Sequence, residues 1–135
     1  MRKLQVLQNT VLRLETGLGW YTPTETLVKR ANQLSIHQLV AYHSALQVYK
    51  CRKTSEPKYM FDRFFLTNDN REGLRSVDNG YISINYDLSL SRGSFYYRAS
   101  KIFNALPGHI KQKETTLSFK KHLRRWIKEN ISIVP

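Results

Sequence analysis

Thr115-Thr116-Leu117-Ser118-Phe119-Lys120-Lys121-His122-Leu123-Arg124-Arg125-Trp126-Ile127-Lys128 decides how this chain is read. Phe119, Leu123, Trp126 and Ile127 return at three- and four-residue steps, the spacing that gathers one face of an α-helix. Lys120, Lys121, Arg124, Arg125 and Lys128 crowd the remaining faces, and Thr115 or Thr116 offers a hydroxyl to cap the start. The stretch predicts a helix with an apolar inner stripe and a strongly positive outer surface.

Working upstream, Ser91-Arg92-Gly93-Ser94 predicts a turn into Phe95-Tyr96-Tyr97-Arg98, read as the end of a strand. Ser100 then caps a helix that holds Ile102, Phe103 and Leu106 until Pro107-Gly108 ends it. Residues 81–90 alternate, with Ile82, Ile84, Tyr86, Leu88 and Leu90 on one face, so they predict a half-buried strand paired with Leu74 to Val77. Asn79-Gly80 supplies the turn signal inside the polar stretch 67–80. Tyr59, Met60, Phe61, Phe64 and Phe65, after the break at Ser55-Glu56-Pro57, predict a short helix buried in the core.

In the first half, Leu4, Leu7, Val11, Leu14 and Leu18 line one helix face, stopped by Gly17 and Gly19. Thr22-Pro23-Thr24-Glu25 has the features of a capped start for a helix over residues 23–33. Ser35-Ile36-His37-Gln38 is a second capping box, opening a helix of about 16 residues with Ile36, Leu39, Val40, His43, Leu46 and Tyr49 or Lys50 on its stripe. The fold class expected is mainly α, a bundle of about five helices with one small antiparallel β-hairpin. At 135 residues, a size that buries roughly two thirds of the unfolded chain's surface, residues 1–135 are expected to form a single domain. Its parts are a helical part over 4–66, a loop and hairpin over 67–98 and a basic helical tail over 99–130.

The composition narrows the function. Lys and Arg number 22 against 10 Asp and Glu, a formal charge of +12. Residues 1–53 carry +6, residues 54–90 carry −2 and residues 91–135 carry +8, so the excess lies at the two ends of the chain. An imbalance of this size points to a polyanionic partner. No apolar run reaches the roughly 20 residues of a membrane-crossing helix, and no signal-peptide block follows Met1-Arg2-Lys3, so an intracellular protein of nucleus or cytoplasm is expected.

Several chemistries are absent. No two acidic residues are adjacent, so the paired aspartates of a polymerase metal site are missing. His37, His43, His109, His122 and the single Cys51 match no zinc spacing, and no phosphate-cradling glycine loop occurs. No metal or cofactor is implied. Cys51 between Lys50 and Arg52 could be an activated thiol, but a basic helix end explains those neighbours more simply. The chain is therefore expected not to be an enzyme.

Arg92, Arg98, Lys101, Lys120, Lys121, Arg124, Arg125 and Lys128 form the candidate phosphate-contacting set, with Tyr96 and Tyr97 as candidate stacking rings. Phe95, Phe103, Phe119 and Trp126 are assigned to the core by their helical spacing. Eight phosphate contacts would give a log–log salt slope of about −6 to −7.

Two segments resemble a known family. Leu7-Gln8-Asn9, Leu12-Arg13-Leu14-Glu15-Thr16-Gly17 and Trp20-Tyr21-Thr22-Pro23-Thr24-Glu25-Thr26-Leu27 resemble the region just past the polymerase core in reverse transcriptases of non-LTR retrotransposons of the jockey and CR-one type. Ser94-Phe95-Tyr96-Tyr97-Arg98-Ala99-Ser100-Lys101-Ile102-Phe103-Asn104-Ala105-Leu106-Pro107, Ile110-Lys111 and Ser118-Phe119-Lys120-Lys121 through Trp126 are similar to the C-terminal end of the same polyproteins. The resemblance runs over residues 4–129, departing at Phe103, where the family usually carries Trp. It implies the helical thumb and tail, which help to hold template RNA and nascent duplex, with the catalytic aspartates lying upstream of Met1. RNA or an RNA/DNA duplex is then the expected partner. An acidic protein docked on the basic face is the alternative. No membrane partner is expected, because the short basic helix needs its apolar residues for the core. An apolar patch left exposed by such a module would favour a homodimer.

Overall fold

The computed structural model describes residues 2–65 and 95–133, without the side chains of 62–65. Seven helices fill them: α1 (Arg2–Thr16), α2 (Thr24–Ala31), α3 (Ile36–Thr54), α4 (Lys58–Phe65), α5 (Phe95–Ala105), α6 (Gly108–Lys111) and α7 (Thr116–Asn130). No strand occurs among the described residues, which corrects the expected fold class from helical with a hairpin to helical. The stretch read as a hairpin, Leu74 to Leu90, lies outside the described residues. Within them, the reading of Phe95 to Arg98 as a strand end is overturned, since α5 already begins at Phe95. The physical reason is a periodicity hidden by the aromatic run: Phe95, Ala99, Phe103 and Leu106 fall on one helical face, and the last three are buried.

The chain divides into two compact units, residues 1–42 with 124–135, and residues 43–123. In the first unit α1 ends where Gly17 takes a φ of 73° and its N–H bonds the Arg13 carbonyl at 2.9 Å, the left-handed stop that glycine adopts at least cost. α2 starts later than expected. Its N-cap is Pro23, which has no side-chain acceptor, so no side chain caps it; Thr22 before it is buried, and its backbone carbonyl accepts a bond from Arg13 Nη2 at 3.2 Å. Leu12, Leu27 and Val28 form the core, with Leu18, Ala31 and Ile133 against it. The second capping box forms as read: Ser35 N–H donates to Gln38 Oε1 at 3.1 Å and Gln38 N–H to Ser35 Oγ at 3.3 Å. The buried Gln38 amide also donates to the Ile131 carbonyl at 2.9 Å, tying the chain end to the start of α3.

In the second unit the buried groups include Ala45, Leu46, Val48, Tyr49, Cys51 and Met60, joined by Ala99, Phe103, Leu106, Ile110, Phe119 and Leu123. The Tyr49 and Phe119 rings stack at 3.8 Å and 6°, and the Tyr49 hydroxyl donates to the Lys113 carbonyl. Two sequence expectations fail here. Tyr59 is 69% exposed rather than core, and His43 is exposed although Leu46 and Tyr49 of its expected stripe are buried, because the buried face of α3 also takes in Ala45 and Val48 and so lies to one side of His43.

Candidate nucleic-acid interface

The predicted cations divide by what surrounds them. In the second unit Arg98, Lys101 and Lys121 are exposed and Lys120 is half-buried. Arg98 and Lys101 project from α5 away from the Ala99, Phe103 and Leu106 stripe, and Lys121 from α7 away from Phe119 and Leu123. Tyr96 and Tyr97, the expected stacking rings, are half-buried. Of the assigned core rings, Phe103 and Phe119 are fully buried, whereas Phe95 is half-buried.

The first unit holds Arg124, Arg125 and Lys128, with Trp126 half-buried and Ile127 fully buried. Arg124 Nη2 donates to the Asn32 carbonyl at 2.6 Å and Lys128 Nζ to Asn32 Oδ1 at 2.6 Å. Asn32 is the left-handed C-cap of α2, with φ 54° and ψ 41°, so both cations sit on the negative end of that helix. These two members of the predicted set already have a structural use. Partial burial first, and the Arg124 guanidinium second, hold the Lys128 ammonium below the usual lysine value. Arg125 is loosely paired with Glu129 at 3.9 Å, both side chains largely exposed. Arg92 lies outside the described residues.

Other exposed rings are Trp20, at 83%, and Tyr21, at 78%, in contact edge to face. A Cβ at Gly19 would come within 2.6 Å of the Tyr21 ring, so the glycine lets that ring lie on the backbone. Sequence reading passed over this pair, although two large rings between Gly19 and Pro23, outside any helical stripe, are a signal of exposure.

Burial also acts on Cys51 and Lys111. It raises the Cys51 thiol and so disfavours the nucleophilic thiolate. Lys111 is buried with its ammonium 5.4 Å from the centre of the Phe103 ring. Its pKa is lowered, by burial first and by the charge of Arg52 second. The unfolded chain therefore holds the Lys111 proton to higher pH than the folded chain does. Stability contributed at this position rises as pH climbs through the folded value toward the ordinary lysine value. Lys111→Met is expected to remove that alkaline rise, read by chemical denaturation of both proteins between pH 7 and 10.

Among the described residues no group of three His, Cys, Asp or Glu side chains is placed to hold a metal, and no helix is long and apolar enough to cross a membrane. No family model, curated protein or solved structure matches the chain.

Proposed function

We propose that the chain is a noncatalytic module that grips the backbone of RNA or an RNA/DNA duplex, as the thumb and tail of a non-LTR retrotransposon reverse transcriptase would. The observation that carries this reading is the cation surplus left without carboxylates. Among the described residues two ion pairs form, Lys29 with Glu25 at 3.5 Å and Arg125 with Glu129 at 3.9 Å, and both are exposed. Such pairs contribute about 0–1 kcal/mol each, so little opposes transfer of their cations to phosphates. Arg98, Lys101, Lys120 and Lys121 have no carboxylate partner among the described residues. Lys and Arg spread over several elements suit a surface that tracks phosphates rather than one that reads bases.

Fluorescence anisotropy of nuclease-treated protein tests the proposal. Labelled single-stranded RNA and an RNA/DNA duplex are expected to bind in the micromolar range or tighter at 50 mM salt. A polyglutamate peptide is expected to compete poorly. Absence of RNA binding, or displacement of the RNA by polyglutamate at equal charge concentration, would reject nucleic acid as the partner.

A further inference from the structure

α1 is inverted with respect to its own polarity. The side chains it turns toward the first unit are Gln5, Gln8, Asn9, Arg13 and Thr16, all half-buried, and the single buried apolar one, Leu12. Their polar atoms make directed bonds. Ile36 N–H donates to Gln5 Oε1 at 3.0 Å, Gln8 Nε2 to the Leu34 carbonyl at 2.7 Å, and Asn9 Nδ2 to Thr24 Oγ1 at 2.8 Å. With the Arg13 bond to Thr22, these fix the rotation of the helix. Turning the leucines inward would break them all. Leu4, Leu7 and Val11 are consequently more than half exposed, and Leu14 is 83% exposed.

The exposed row steps by three, four and three residues, the a/d seam of a coiled coil. We propose that this face is a self-association surface, on which α1 pairs with α1 of a second copy in antiparallel fashion about a two-fold axis. That pairing sets Leu4 against Leu14 of the second copy and Leu7 against its Val11, each contact made twice, so one seam satisfies itself and closes. It also brings the basic first turn, with Arg2 and Lys3, to the level of the second copy's Glu15 and opposes the helix dipoles. A parallel pairing would stack Arg2 and Lys3 on their own copies. The seam buries on the order of 500 Å² per copy, about 1,000 Å² in all, which is the lower bound for a specific interface. The dimer is therefore weak, and the charge of +12 on each copy opposes it.

Sedimentation velocity of the nuclease-treated full chain from 2 to 200 µM tests this. A reversible monomer–dimer equilibrium with a Kd in the tens of micromolar is expected, tightening severalfold between 100 and 500 mM salt as repulsion is screened. That direction is opposite to phosphate binding. The double variant Leu7→Asp with Leu14→Asp is expected to stay monomeric at 200 µM with an unchanged circular dichroism spectrum, since both positions are exposed. A monomer at every concentration and salt, a dimer that survives in the double variant, or growth beyond the dimer would overturn the proposal.

Discussion

Phe119→Ala is expected to lower the stability of the chain by about 3–5 kcal/mol, the cost of removing a buried aromatic ring and leaving its cavity. Phe119 is fully buried, stacked on Tyr49 at 3.8 Å, and the Tyr49 hydroxyl in turn holds the Lys113 carbonyl ahead of α7. Loss of the ring therefore removes the stacking contact and loosens the segment that leads into the basic helix. Against a total stability of about 5–15 kcal/mol, the change is a large fraction. A fall in Tm of about 10–20 °C follows from the size of the chain. Trp126→Ala, at a half-buried ring on the same helix, should cost much less. Thermal melts followed by circular dichroism decide it. Equal Tm losses for the two variants would contradict the assignment of Phe119 as the anchor.

The second large effect is expected on binding. Arg98→Glu, Lys101→Glu and Lys121→Glu combined should weaken affinity for RNA at 50 mM salt by about 100-fold, since three phosphate contacts are replaced by three repulsions. All three side chains are exposed and lie off the buried stripes of α5 and α7, so the fold should survive. The matched control is Arg124→Gln with Lys128→Gln. Those cations hold Asn32 at the end of α2, and their loss should lower Tm more than it lowers RNA affinity. The opposite ranking of the two variants in anisotropy would contradict the division between free and structural cations.

Much of the helical organisation was legible because it is local. The steps of Phe119, Leu123, Trp126 and Ile127 predicted the buried face of α7, on which Trp126 alone is only half-buried. Gly17 marked the stop of α1, and Ser35 with Gln38 marked a box that forms by reciprocal bonds. The exposure of Lys101 and Lys121 followed from their positions off the apolar stripes, whereas Arg98 reads in sequence as the end of a strand. Periodicity did not tell what covers a stripe. The Leu4 to Leu14 row was visible, but its solvent exposure depends on bonds from Gln5, Gln8 and Asn9 to residues 24–36. Arg124 and Lys128 looked like part of the free basic surface because their partner, Asn32, is more than 90 residues away in sequence. The cap expected at Thr22 did not form because the N-cap position falls one residue later, on Pro23, whose ring offers no acceptor.

The salt dependence of RNA affinity bears most directly on the central claim, that cations without carboxylate partners take up phosphates. With Arg124 and Lys128 retained on Asn32, six cations of the expected set remain: Arg98, Lys101, Lys120 and Lys121, which have no carboxylate partner among the described residues, Arg125, whose exposed pair with Glu129 is loose, and Arg92, counted from the sequence alone. They predict a slope of log affinity against log salt of about −4 to −5, wherever on the chain they lie. A slope near zero between 50 and 300 mM salt would contradict it.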